Sequence, residues 1–502
     1  MLDHCAERLT DVQPASRGAM AARNRYDRWC DFGLQKLGMV GSNRYFARVK
    51  RVVRARAGSI SLVAAISIGI GGMIGAGIFS ILGVVANVTG SALPLAFVIG
   101  GVVALLAAYS YVMLGKRYPS AGGAVTFIVH GYGDTTAAGT LNVFQYLAYI
   151  ITIALYASGF AAYAVTFVAL PEKIYAVAVV VAFTAINFLG NRIMGRAESL
   201  IVIIKVGILG VFIVAAFLAM SNAGVERLAP TSWPDPLMIF TGAGLLFVGY
   251  EGFGLITNTA ASLKDVAKQL PRAVYIAVAI VIAIYVLVAI GVVMNLPLNE
   301  LTGLGDAALA EAAQPTLGHL GFTLIAIAAL LSTASAVNAT LFGSANIAFQ
   351  LGKNGELPPV FKQQVHGRDV QGLFITTAIV LIFILIFPLR SVAAMGSAAF
   401  LLIYTAVGIG HLRIRQQTGA KAWPVMSSVV TCVALFVVLF FNMIKSAPTS
   451  AIALGVTLVV SLGFEVVYRR VSGRSFVKVL AGAAAPPADA ADGGAAVDPA
   501  GS

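Results

Sequence analysis

Long apolar runs, separated by short polar stretches, recur along almost the whole chain. They do not alternate apolar and polar residues with the two-residue period of a strand. Twelve of them approach or exceed the roughly 18 residues that a helix needs to cross a bilayer. They lie at about 60–83, 92–114, 139–168, 174–190, 197–220, 236–259, 273–295, 318–349, 372–389, 391–411, 424–444 and 448–468. Lipid offers no partner to an unpaired backbone group, so helices are the expected spanning element. The pattern predicts an all-α integral membrane protein of about 12 transmembrane helices. Residues 1–57 form a polar, basic segment without the apolar core of a cleaved signal. Residues 471–502 end in AGAAAPPADAADGGAAVDPAGS, a composition expected to stay disordered.

The 502 residues are 59% hydrophobic and 11% charged, too few charges for a water-facing surface of that length. The net charge of +13 raises the question of nucleic acid, and its distribution answers it. Twelve Lys/Arg precede the first span, thirteen lie in the loops on that same side, four in the opposite loops and four in the tail. This is the positive-inside pattern, which places both termini in the cytoplasm and argues against a nucleic-acid partner. The three cysteines, Cys5, Cys30 and Cys432, form no metal-ligand spacing and imply no disulfide framework. Neither a G-x-x-x-x-G-K-[ST] loop nor an H-E-x-x-H or G-x-S-x-G constellation is present. Nothing therefore marks an ATP-driven pump or an enzyme.

Loops absorb nearly every charge. Only Lys205 and Glu251 fall well inside spans, while Glu198 and Glu465 sit near span ends, within reach of the interface. A charge at a helix centre costs roughly 2.5–3.5 kcal/mol on insertion scales, so both central residues are candidates for a role. Lys205 lies roughly 13 Å into its span at 1.5 Å per residue, near the limit of what a lysine stem covers by snorkelling. Burial penalises the charged form of a lysine, which suits it to load and release a proton in each cycle. Glu251, in FVGYEGFG, is open to three uses: a structural carboxyl, a proton site or a contact to substrate charge.

Inside the first span, GIGGMIGAGIF (Gly69 to Phe79) carries five glycines in eleven residues. Each weakens a helix interior by about 1 kcal/mol relative to alanine. Glycine permits close helix packing, a kink, or a break that turns backbone groups toward a cavity. The sixth span holds Gly242, Gly244, Gly249, Gly252 and Gly254 around Tyr250 and Glu251. Glycine-interrupted spans at matching places in two five-span halves, 58–220 and 236–415, point to a transporter site at an inverted repeat. Residues 420–470 then hold the last two spans. A break frees amides at the positive dipole end of the following half-helix. A substrate carboxylate is expected on the amides of Gly75, Ala76 and Gly77. The carbonyls of the preceding half, near Gly71, Gly72, Met73 and Ile74, suit an ammonium. Phe247, Tyr250, Gly252 and Phe253 are expected to line the same pocket. Tyr146, Tyr149 and Asn338 are candidates to cap the substrate or to pack. Ser332, Thr333 and Ser335 are suited either to a sodium ion or to bonding their own backbone. The pattern predicts a secondary transporter for a small amine-bearing acid.

GIGGMIGAGIF resembles the first-helix signature of the amino acid–polyamine–organocation superfamily. KRYPSAGGAVTF, FVGYEGFGLITNTAASLKDVAKQLPRAV and SAVNATLFGSANIAFQLGKNGELPPVF resemble its blocks after the second span, at the sixth and at the eighth. The resemblance covers about 58–470 and implies the leucine-transporter fold, a 5+5 inverted repeat with discontinuous helices 1 and 6. It implies a substrate between spans 1, 3, 6 and 8. Among members, the proton-coupled broad-specificity transporters of the ApcT type are the most similar, and Lys205 resembles their fifth-span lysine. Two places depart from the family. The loop after the sixth span reads AASLKDVAKQLP, without the Glu and Asn-Pro of many members. Glu251 stands where several relatives carry an uncharged residue.

The expected activity is import of amino acids across the cytoplasmic membrane by proton symport with alternating access. Lys205 and Glu251 are the proton-coupling candidates. Exchange of amino acids or polyamines is the alternative, and an amino-acid sensor on a transporter fold is a weaker one. No cofactor or metal is expected. A proton gradient supplies the drive, with sodium the weaker alternative. The expected partners are the substrate and the lipid bilayer, and no feature marks a protein partner.

Overall fold

The helices begin where a side chain can take up the amides that a helix start leaves free. Ser61 accepts from Ala64 at 3.2 Å and opens Leu62–Ala76. Thr135 accepts from Ala138 at 3.2 Å ahead of Thr136–Ala164, and Asp265 from Lys268 at 3.1 Å ahead of Val266–Asn295. Asp235 opens Pro236–Leu245, with proline at the first helical position, where a missing amide costs nothing. At the other ends, Gly355 and Gly419 take φ of +75° and +67° to close Ala308–Asn354 and Leu389–Thr418. That left-handed turn favours glycine.

The computed structural model describes residues 60–120, 122–189, 194–301, 305–362 and 371–472. The expectations for the basic segment 1–57 and for the tail beyond Ser472 lie outside them, as does the side chain of Glu198. Each of the twelve predicted spans falls on helix. Spans 2 to 5 are Leu93–Arg117, Thr136–Ala164, Glu172–Leu189 and Met194–Leu218. Span 7 is Val266–Asn295, and spans 9 to 12 are Gln371–Ile386, Leu389–Thr418, Ala422–Ser446 and Pro448–Ser472. Span 8 is the long arm of Ala308–Asn354, which bends at Gly318, φ +63°.

The first span is broken into Leu62–Ala76 and Leu82–Thr89. The sixth is broken into Pro236–Leu245, a tight 3₁₀ turn at Leu246–Tyr250, and Phe253–Asn258. Two five-span halves, each opening with a discontinuous helix, make the leucine-transporter architecture. The Ile60 amide donates to the Ser262 carbonyl at 3.2 Å and ties the start of span 1 to the loop that leaves span 6.

By length and composition, nine helices among the described residues can cross a membrane. Burial sorts them. The apolar windows of spans 3, 6 and 10 are 83%, 89% and 89% buried, against 28% for span 5 and 33% for each of the last two. Spans 3, 6 and 10 are therefore enclosed by protein, while spans 5, 11 and 12 turn much of their surface outward. Val430, Phe441, Val459 and Val471 are all more than half exposed, a surface suited to acyl chains rather than to water. One expectation is corrected. Glu465 does not reach an interface: it is fully buried against Gly139 of span 3, with Arg469 at 3.7 Å. The shortness of Gly139 makes room for it.

Candidate functional site: two broken spans

Four carbonyls at the first break meet donors from four different spans. Lys205 Nζ of span 5 donates to the Gly71 carbonyl at 2.9 Å. Tyr285 Oη of span 7 donates to Met73 at 2.5 Å, Ser332 Oγ of span 8 to Ile74, and Tyr163 Oη of span 3 to Phe79 at 2.9 Å. A backbone group buried without a partner costs about 1–3 kcal/mol, so these four side chains help the helix to stop here. Ile74, with ψ of 34°, is the residue that leaves the helix. The ammonium that meets the Gly71 carbonyl is the chain's own, and it is fully buried. The Gly77 amide, expected for a carboxylate, is held by the Met73 carbonyl at 3.3 Å.

The sixth break is closed by a hydroxyl. Ser397 Oγ of span 10 accepts from the Val248 amide at 3.1 Å and donates to the Leu245 carbonyl at 2.5 Å. It thus bridges the step from α-helix to tight turn. Tyr285 Oη reaches this break too, at 3.2 Å from the Gly249 carbonyl, so one phenol holds both breaks.

The glycines explain how closely the breaks meet. A Cβ on Gly77 would stand 2.7 Å from the Gly249 Cα, and one on Gly252 would stand 2.5 Å from the Met73 nitrogen and 2.7 Å from the Gly72 carbonyl carbon. Real side chains do not tolerate such distances, so these glycines serve direct backbone-to-backbone packing. Gly75 faces span 8 instead, where its Cβ would meet the Ala336 methyl at 2.6 Å.

Glu251 lies between the sixth break and Phe253–Asn258, only 3% exposed. Its carboxyl lies near the Tyr149 hydroxyl of span 3, and its backbone carbonyl accepts from the Tyr404 hydroxyl at 3.4 Å. Its Oε1 atom has no hydrogen-bond partner among the described residues. Around it stands a connected set of rings. Tyr404 of span 10 stacks on Phe253 at 5.2 Å between centroids and meets Tyr111 of span 2 edge-on at 5.0 Å and Phe247 at 5.5 Å. Tyr149 meets Phe400 at 5.3 Å.

The structure thus gathers Gly71 to Gly77, Lys205, Phe247, Gly252, Phe253, Tyr149 and Glu251 around the two breaks. It directs others elsewhere. Tyr250 donates to the Phe97 carbonyl of span 2 at 2.9 Å. Tyr146 bonds Thr376 of span 9 at 2.8 Å. Asn338 accepts from Asn187 of span 4 at 2.8 Å. Thr333 bonds its own helix, through the Ala329 carbonyl at 2.7 Å. Sequence reasoning missed Tyr163, Tyr285, Ser397, Tyr111 and Tyr404. A lone hydroxyl in an apolar run, as with Tyr285 in IAVAIVIAIYVLVAIGVVM, is the signal that finds such residues, because a buried phenol needs an acceptor.

A family described as amino acid permease matches residues 60–464. An uncharacterized protein of Methanocaldococcus jannaschii is 40% identical over 423 residues, which cover 83% of this chain and 97% of that one. The inner membrane transport protein YbaT of Escherichia coli is 34% identical over 382 residues, 75% of this chain and 88% of that protein. The branched-chain amino acid permease BcaP of Bacillus subtilis is 24% identical over 412 residues, with 74% and 85% covered.

Proposed function

The chain belongs to the amino acid permease family and carries amino acids across a membrane as an integral multi-pass protein, and we propose that it imports them by proton symport. The observation that carries the reading is the hydrogen bond from Lys205 to Gly71. A charged donor makes a shorter and stronger bond than a neutral one. With its proton, Lys205 holds Leu62–Ala76 against span 5. Without it, only the weaker bond of a neutral amine remains and that half-helix moves more easily. A proton that loads on one side of the membrane and leaves on the other therefore biases two arrangements of the first span, which is what alternating access requires. The amino acid docks at the paired breaks once the first span moves, because the carbonyls of Gly71, Met73 and Ile74 and the amide of Gly77 are held by the protein's own groups in the present arrangement. The charge asymmetry of the loops supports the cytoplasmic membrane as the site of action, with both termini inside.

The test is uptake of labelled amino acids into proteoliposomes under three conditions: an inward proton gradient, a sodium gradient, or internal amino acid alone. Symport predicts accumulation on the proton gradient, with initial rates that rise as external pH falls. Uptake that requires internal amino acid and ignores the proton gradient would make the protein an exchanger and overturn the reading.

A further inference from the structure

The two ionisable groups deep inside the spans end in unlike surroundings, and the coupling scheme above uses only one. Glu251 is buried, and one of its oxygens has no hydrogen-bond partner among the described residues. Among those residues no cation pairs with it; the ion pairs there join Arg469 to Asp134 and Glu465. Beside it lie the Tyr149 hydroxyl and, about Gly254, the Tyr404 hydroxyl and the Tyr111 ring, which Phe253 also meets. Gly254 leaves room for one methyl between them. A methyl there would lie 3.6 Å from Glu251 Oε1, 3.8 Å from the Tyr404 hydroxyl and 3.9 Å from the Tyr111 ring, all ordinary contacts.

We propose that Glu251 and the surrounding Tyr111, Tyr149, Phe253 and Tyr404 receive a second ammonium, on the side chain of the substrate, so that the protein prefers cationic amino acids. The inference rests on reading the paired breaks as the amino-acid site. Its logic is electrostatic. A carboxylate away from water is costly unless a cation meets it, and aromatic rings with an anionic group are the surroundings in which ammonium groups are recognised. A substrate with an apolar side chain places both of its charges on the backbone of the breaks and leaves Glu251 without a counter-charge. A substrate with a terminal ammonium neutralises it. Lys205 is engaged at Gly71 on span 1.

The test compares lysine with norleucine, which differ by that one ammonium, as the ratio of kcat/KM for uptake into proteoliposomes. Wild-type protein is expected to favour lysine at least tenfold. Glu251→Gln should cut the ratio at least tenfold, and Glu251→Asp should retain part of it. Gly254→Ala, which fills the space without a clash, should lower lysine uptake more than norleucine uptake. A ratio near one in wild-type protein, or a ratio untouched by Glu251→Gln, overturns the proposal. Ligand-induced thermal stabilisation of the purified wild-type protein gives a readout that needs no variant: lysine should raise the unfolding temperature more than norleucine, and equal shifts overturn the proposal. Measuring the ratio in counterflow as well separates the two readings. A lysine preference lost in Glu251→Gln under counterflow, without proton-driven accumulation, sinks symport and keeps this inference. Proton-driven norleucine uptake with no lysine preference does the reverse.

Discussion

The first and sixth spans are interrupted at corresponding places, yet they are held in different ways. Lys205, Tyr285, Ser332 and Tyr163, from four spans, take the carbonyls of the first break. The sixth closes mainly on Ser397, which satisfies an amide and a carbonyl at once. The charges differ in origin as well. At the first break the charge arrives from another span, and at the sixth it stands on the interrupted segment itself as Glu251. A restraint that includes an ionisable donor can be released by loss of a proton, while a restraint made by a neutral hydroxyl persists in both protonation states. On the proposed symport, motion belongs to the first break and framing to the sixth, with Tyr285 joining the two.

The largest effect should come from removing the ionisable restraint. Lys205→Ala is expected to lower proton-driven accumulation at least tenfold while counterflow exchange persists, which also shows that the variant is inserted and folded. Next comes the contact between the breaks. Gly252→Ala places a methyl against the Met73 nitrogen and the Gly72 carbonyl carbon. Overpacking of this kind costs about 1–3 kcal/mol, and both thermal stability in detergent and uptake should fall. Ser397→Ala leaves the Val248 amide without its acceptor, at a cost of about 1–3 kcal/mol. It should lower the unfolding temperature while leaving the pH dependence of uptake in place. A change in that pH dependence would show that the sixth break moves as well. The smallest effect belongs to Gly207→Ala on span 5, where nothing lies within 4 Å of the new methyl. It should leave uptake unaltered and stabilise by at most about 1 kcal/mol.

What was legible in the sequence follows from which forces act locally. A bilayer demands apolar side chains over a fixed length, so the spans stand out as runs. The bend at Gly318, which sets off span 8, was not read from the sequence. The two breaks were visible because glycine accumulates where backbones touch. Lys205 and Glu251 were visible because charge is expelled from lipid unless something holds it. The pairings were not. Gly77 against Gly249, Ser397 across the sixth break and Tyr285 between both breaks depend on which spans become neighbours once the halves interlock. No local pattern encodes that. Glu465 misled for the same reason: its position near a span end suggested an interface, while Gly139, far away in sequence, offered it a buried place.

The most direct test of the central claim follows the proton rather than the amino acid. Proteoliposomes without any imposed gradient would be loaded with a pH-sensitive dye, and an excess of external amino acid added. Symport through Lys205 predicts that the interior acidifies with wild-type protein and not with Lys205→Ala, although both perform counterflow. Equal acidification by the two proteins, or none with either while counterflow proceeds, would contradict the account.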